Sequence, residues 1–315
     1  MSVDRRYLLK SLVAAGAAAV AAEGTSEARV RTPLPADALG LLYDTTRCIG
    51  CKTCVVACRE ANDTKPDNSN SPGGIWDTPM DLNGQTKTVV KLYKSADGLH
   101  RSYFKAQCMH CADPACTTAC MLGALSKREH GIVSYNPSLC IGCRYCQMAC
   151  PFNVPKFEWA KAAPKIVKCE LCRHRVAGAS LAKTDGYSRY PKGHGPACAE
   201  VCPRQAVIYG TREELLADAR RRMAEHPDRY VPKIYGETDG GGTQCLYLSH
   251  VPFEDLGLPT LSARSVPDLQ HTIQHGIYQG FVAPLALYGL LGAVIFRNRR
   301  KQQSEQPEQE NGGRP

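Results

Sequence analysis

The chain has 315 residues, enough for one large domain or two to three small ones, and its 43% hydrophobic share is an ordinary globular one that does not classify it. Its formal charge is +9 with every cysteine counted neutral, yet no RNA- or DNA-binding motif accompanies that excess, so nucleic acid is not an expected partner. No G-x-S-x-G, H-E-x-x-H, P-loop or dinucleotide fingerprint offers substrate chemistry, and the outlier is 17 cysteines, sixteen of them in groups at 48/51/54/58, 108/111/116/120, 140/143/146/150 and 169/172/198/202.

Residues 1–30 do not read as part of the fold. Asp4-Arg5-Arg6-Tyr7-Leu8-Leu9-Lys10 resembles a twin-arginine export signal, followed by an Ala/Val/Gly stretch over Leu12–Ala22 and small-residue cleavage sites such as Ala19-Val20-Ala21. Such a signal carries folded, cofactor-loaded proteins, which reconciles export with sixteen free thiolates. Leu41–Asp44 then reads as a short strand ahead of the first group, C-I-G-C-K-T-C-V-V-A-C. Residues 62–86, rich in Asn, Asp, Pro and Gly, read as a surface loop. Lys87–Lys94 and Arg101–Ala106 read as two strands joined around Asp97-Gly98.

The second group, C-M-H-C-A-D-P-A-C-T-T-A-C, has four residues between Cys111 and Cys116 where the others have two, and His110 inside it reads as a spacer, not a ligand. Gly131–Tyr135 reads as a short strand leading to the third group. That group, Cys140 to Pro151, is C-I-G-C-R-Y-C-Q-M-A-C-P: three cysteines at spacings of three, a fourth four residues on, and proline behind it, which is the bacterial ferredoxin run. Cys140, Cys143 and Cys146 can wrap three corners of one cubane, while Cys150 is carried off by the following turn toward another. Gly142 is expected to let the backbone approach the sulfides, and Pro151 to fix the direction after the last ligand. The first group repeats this spacing and shares C-I-G-C, so it is an internal repeat.

Disulfides are the default for an exported cysteine-rich chain and zinc knuckles the other alternative, but in-phase x-x spacings and four cysteines within eleven residues fit cluster ligation better than either. An oxidised four-thiolate [4Fe–4S] site carries about −2, so four bring about −8, and the basic excess reads as compensation for clusters.

The fourth group is split: Cys169 and Cys172 stand apart from Cys198 and Cys202-Pro203 by a basic loop over 173–197, either a solvated insertion or a docking element. Thr211 with Glu214 forms a capping box that opens a helix through about Ala224. Gly240–Thr243 reads as a turn and Gln244–Ser249 as a strand, in which Cys245 reads as a buried structural thiol. Leu269–Phe296 lacks Asp, Glu, Lys and Arg, and Ile277–Phe296 is long enough to span about 30 Å as a helix. Arg297, Arg299, Arg300 and Lys301 follow it, placing that end in the cytoplasm and the cluster domain across the membrane; a buried core helix is the alternative. His271 and His275 are i,i+4 neighbours that read as interface residues before haem or quinone contacts.

With these groups placed, nearly the whole chain, from Leu39 to about Phe296, resembles the four-cluster, ferredoxin-like electron-transfer subunits of membrane-bound respiratory oxidoreductases. Within them it is similar to the periplasmic iron–sulfur subunits of the hydrogenase-2 type, on its twin-arginine signal, T-R-E-E-L, G-G-G-T-Q, V-P-F-E-D-L-G-L-P and Q-H-T-I before one C-terminal anchor. The resemblance implies an α+β fold of two ferredoxin-like modules with four [4Fe–4S] clusters and a C-terminal transmembrane helix. It implies that three cysteines of one group pair with the last of its mate: Cys48, Cys51, Cys54 with Cys202; Cys108, Cys111, Cys116 with Cys150; Cys140, Cys143, Cys146 with Cys120; Cys169, Cys172, Cys198 with Cys58. The missing prolines after Cys58 and Cys120 depart from the pattern.

The expected organisation is a signal at 1–30, a cluster domain at 39–210, an extension at 211–268, a membrane helix at 277–296 and a cytoplasmic tail at 297–315. Inside the cluster domain, ferredoxin-type segments cover about 39–68, 99–130 and 131–160, with the split fourth motif at 169–203. The implied role is an electron wire without an active site, between hydrogenase small and large subunits and an integral-membrane quinone-reacting subunit. A formate dehydrogenase β subunit and a membrane-tethered zinc scaffold are the rival readings.

Overall fold

The computed structural model describes residues 34–65, 79–96, 98, 100–176, 195–274 and 282–304. The export signal, the hairpin tip Asp97, most of the basic 173–197 loop, His275 and the end of the tail lie outside them. The chain divides into a compact unit over Arg31–Pro267 and a second unit whose described parts begin at Asp268.

In chain order the larger unit holds β1 (Leu39–Asp44), α1 (Thr53–Ala61), β2 (Val89–Lys94), β3 (Arg101–Ala106), α2 (Ala115–Thr118), β4 (Leu125–Lys127), β5 (Val133–Tyr135) and α3 (Tyr145–Ala149). There follow β6 (Lys156–Phe157), β7 (Ile166–Val167), α4 (Arg173–Val176), α5 (Ala197–Glu200), β8 (Val207–Thr211), α6 (Arg212–Glu225) and β9 (Cys245–Leu248). The expected α+β character is present, in short elements.

The main sheet has the order β8-β1-β9, with β1 antiparallel to β8 and parallel to β9. All six residues of β1 are buried, as a central strand covered on both faces requires. Leu39, Leu41 and Tyr43 face one cluster with Tyr209, Cys245 and Tyr247, while Leu42 packs with Leu215, Leu216 and Ala219 of α6. Residues 211–268 therefore do not trail behind the cysteine-bearing part: β9 is a strand of its sheet and α6 a wall of its core.

Strand pairing repeats the nesting of the cysteine groups. β1 precedes the first group and β8 follows the fourth, and they pair from Leu39↔Thr211 to Tyr43↔Val207. β4 and β5 lie between the second and third groups and pair with each other. β2 and β3 form the hairpin expected from Asp97-Gly98, in the register Val89↔Ala106. Thr211 caps α6: its side chain accepts the Glu214 N–H while the Glu214 carboxylate accepts the Thr211 N–H.

The second unit contains α7 (Asp268–Gln274), which carries His271, and α8 (Val282–Ser304). Of the expected membrane helix over 277–296, residues 277–281 lie outside the described residues; the rest belongs to α8, which runs on through Arg297–Lys301 to Ser304. Arginine and lysine are good helix formers, so nothing stops the helix where the apolar stretch ends. Among the described residues no helix is long and apolar enough to cross a membrane.

Candidate metal centres

All four cysteine groups are built on one local plan. In each C-x-x-C loop the residue before the second cysteine has a left-handed backbone: Gly50 at φ 70°, His110 at 48°, Gly142 at 75° and Leu171 at 49°. That turn folds the loop back on its first thiol, so the Gly50 and Leu171 N–H groups donate to Cys48 and Cys169 Sγ, each at 3.4 Å. A short helix follows, and the third cysteine sits on it: Cys54 on α1, Cys116 on α2, Cys146 on α3 and Cys198 on α5. Glycine at Gly142 is favoured by this conformation, not by crowding, since a Cβ there would meet its nearest atom at 3.6 Å. At Gly50 both reasons apply, because a Cβ would run into the Tyr103 ring.

The fourth cysteine of each group leaves for another. Cys48, Cys51, Cys54 and Cys202 line one pocket, walled by Tyr43 and Val90. Cys140, Cys143, Cys146 and Cys120 line a second, walled by Phe157 and Ile166. Cys111 lies close enough to Cys108, Cys150 and Cys116 for each to raise its pKa further. Cys198 stands in the same relation to Cys58, Cys169 and Cys172. All 17 cysteines are free thiols.

Burial pushes the thiols of Cys54, Cys108 and Cys146 up to about 11 and those of Cys58 and Cys116 up to about 12. Neighbouring cysteines act in the same direction, so these groups would ionise together only around a multiply charged cationic group. Among the described residues no three His, Cys, Asp or Glu side chains converge as a single ion needs. The first and third quartets instead surround open volumes, which fits an iron–sulfide cubane held at its corners. The chemistry such a site supports is electron transfer.

Some residues around these sites have no sequence signal of their own. Lys105 and Lys168 are 1% and 2% exposed. Lys168 Nζ donates to the Cys169 carbonyl at 3.0 Å, and its charge lowers the pKa of Cys108 and Cys116. Asn62 Nδ2 donates to the Cys58 carbonyl at 2.7 Å and faces the Cys58 and Cys172 sulfurs at 3.7 and 3.9 Å. His110 is fully buried, with Nδ1 accepting the Val133 N–H at 3.1 Å, which commits that nitrogen to β5.

Comparison with known proteins agrees with this geometry. Residues 99–212 match the 4Fe-4S dicluster domain. The chain is 38% identical over 299 residues to hydrogenase-2 operon protein HybA of Escherichia coli O157:H7, covering 86% of this chain and 87% of that one. It is 34% identical to the nitrate-inducible formate dehydrogenase iron-sulfur subunit of Escherichia coli K12 (79% and 80% covered). To the formate dehydrogenase-O iron-sulfur subunit of the same strain it is 35% identical (79% and 77% covered). The domain match and these relatives show that the chain belongs to the HybA family of iron–sulfur electron-transfer subunits of oxidoreductase complexes, in which it is not the catalytic subunit.

Proposed function

We propose that the chain holds four [4Fe–4S] clusters and relays single electrons between a periplasmic [NiFe] hydrogenase and an integral-membrane quinone-reacting subunit. The ligand sets are Cys48, Cys51, Cys54, Cys202; Cys108, Cys111, Cys116, Cys150; Cys120, Cys140, Cys143, Cys146; and Cys58, Cys169, Cys172, Cys198. The observation that supports four sites is the fourfold repetition of one construction, a left-handed C-x-x-C loop followed by a helix bearing the third cysteine. A [4Fe–4S] cluster supplies a one-electron station; the chain's residues hold it, shield it from water and set the charge around it.

Electrons cross to partners where a quartet reaches the surface. Cys51 and Cys143 are exposed, and apolar side chains rim both: Ile49 beside the first quartet, Met121 and Ile141 beside the third. Such rims suit contact with another subunit. Export by the twin-arginine route and anchoring through 277–296 complete the reading. Arg5-Arg6 supports the first, and the apolar run ending in Arg297–Lys301 supports the second. The similarity to two formate dehydrogenase iron-sulfur subunits favours a second reading, the β subunit of such an enzyme.

Anaerobically purified protein is expected to be brown, with about sixteen iron atoms per chain. Cys146→Ser should lose one EPR signal and usually the folded domain, because ligation supplies folding energy. Sixteen iron with four unchanged signals in that variant would refute the ligand assignment. Reduction of the clusters in membranes by hydrogen or by formate separates the two catalytic partners.

A further inference from the structure

Asn62 caps the C-terminal end of α1, four residues beyond Cys58, where the end of the first cysteine group meets the fourth. Its Nδ2 donates to the Cys58 carbonyl at 2.7 Å and lies 3.7 Å from Cys58 Sγ and 3.9 Å from Cys172 Sγ. An amide nitrogen carries two hydrogens, so one goes to the carbonyl and the other is shared between the two sulfurs. Both sulfurs belong to the fourth quartet, one from each of the groups that build it.

Shape does not decide which end of a carboxamide faces the sulfurs; its neighbours do. Lys87 Nζ, which can only donate, lies 3.0 Å from Oδ1, and the Cys58 carbonyl, which can only accept, lies against Nδ2. Turning the amide over would set donor against donor on one side and acceptor against acceptor on the other. Lys87 is placed in its turn: its Nζ stands 3.9 Å from Glu170 Oε2, and Glu170 Oε1 accepts the Tyr135 N–H at 2.8 Å. Glu170 lies in the C-x-x-C loop of the same quartet, between Cys169 and Cys172. His174 holds the end of α1 from the fourth group, its Nε2 donating to the Ala61 carbonyl at 2.8 Å.

We propose that Asn62, oriented by Lys87, is a positioning residue that hydrogen-bonds two ligand sulfurs of the fourth quartet and raises the reduction potential of the cluster held there. This rests on the four-cluster reading. One-electron reduction adds a negative charge that spreads onto the ligand sulfurs, so an N–H donor aimed at them favours the reduced form. Its sulfur contacts are Cys58 and Cys172, so the effect belongs to this one cluster.

The test is an anaerobic redox titration of the holoprotein followed by EPR, with iron determined on the same samples. In Asn62→Leu, which keeps the bulk and removes the donor, one of the four signals should shift to lower potential. Its reduced-to-oxidised ratio at a fixed poise should fall at least threefold, about 28 mV for a one-electron couple. The other three signals should move by less than half of that. Asn62→Asp keeps the acceptor for Lys87 but sets an oxygen against the sulfurs, so it should lower the same potential by at least as much. Four unshifted signals, or four shifted equally, would overturn the proposal and leave the cluster count intact. Loss of one cluster's iron in both variants would also overturn it, making Asn62 a residue of cluster assembly. Wild-type protein with an iron content far from about sixteen would overturn the four-cluster reading itself.

Discussion

Cys245 is 1% exposed on β9, its Sγ donating to the Cys108 carbonyl at 3.3 Å and facing Gln107 Nε2 at 3.4 Å. Burial raises its thiol pKa well above the ordinary value, and Cys169 and Cys108 raise it further, so it stays protonated beside two quartets without belonging to either. Cys245→Ala should therefore keep all four clusters and lower stability by only about 1 kcal/mol, the sulfur's packing and two weak hydrogen bonds. Iron analysis and EPR of that variant check this, and loss of any cluster signal would mean the ligand set is wrong. The sequence singled out Cys245 as the cysteine left over, because the other sixteen fill a repeated spacing. It said nothing of Lys105, Lys168 or Asn62. A lysine in the strand R-S-Y-F-K-A looks like any solvated lysine until the fold buries it against Thr88 and Gln107. His110 and Leu171 show the same limit from the backbone side. They hold the left-handed position that glycine marks in the two C-I-G-C loops, and neither residue type announces that conformation.

At the scale of elements, β1 and α6 are tied together by a buried ion pair just ahead of the first cysteine. Arg222 Nη1 lies 3.0 Å from Asp44 Oδ2, which also accepts the Tyr230 hydroxyl at 3.0 Å, while Asp44 Oδ1 accepts the Thr46 N–H at 3.0 Å. Asp44 is fully buried, so Arg222→Met leaves its carboxylate with only the longer cation contact to the part-exposed Arg47, at 3.7 Å, and should cost about 3 kcal/mol. The urea midpoint measures this, and Asp44→Asn combined with Arg222→Met should lose much less than the sum of the two single changes. A simple sum would show that the pair is not coupled. α6 was legible because its capping box is local, and the β2–β3 hairpin because Asp-Gly marks its turn. The parallel pairing of β1 with β9 was not. Two strands about two hundred residues apart carry no mutual signal in a single sequence, and only the burial of both faces of β1 hints at a covered centre. The run of α8 past Phe296 shows a different limit: charge marks a membrane boundary but not a helix boundary.

At the scale of the molecule, the two units carry separable jobs in the proposed role. The unit over Arg31–Pro267 is compact by itself and contains all sixteen ligand cysteines of the proposed sites, the last being Cys202. The apolar run and the basic residues behind it lie wholly in the other unit. Ending the chain after Asp268 should therefore release an exported protein from the membrane that still binds about sixteen iron atoms. It should still take electrons from the catalytic partner and pass them to a dye, since that path runs only through the cysteine quartets. Hydrogen-dependent quinone reduction should fall sharply. Tethering supplies an effective concentration that holds the outgoing cluster beside the quinone-reacting subunit, on the order of millimolar for a short linker, and free diffusion cannot match it. The measurement compares hydrogen-dependent dye reduction with hydrogen-dependent quinone reduction in membranes and soluble extracts of the truncated strain. Equal loss of both activities would assign the segment to folding or assembly. Unchanged quinone reduction would show that docking onto the partner subunits, through the apolar rims around Cys51 and Cys143, is sufficient without an anchor.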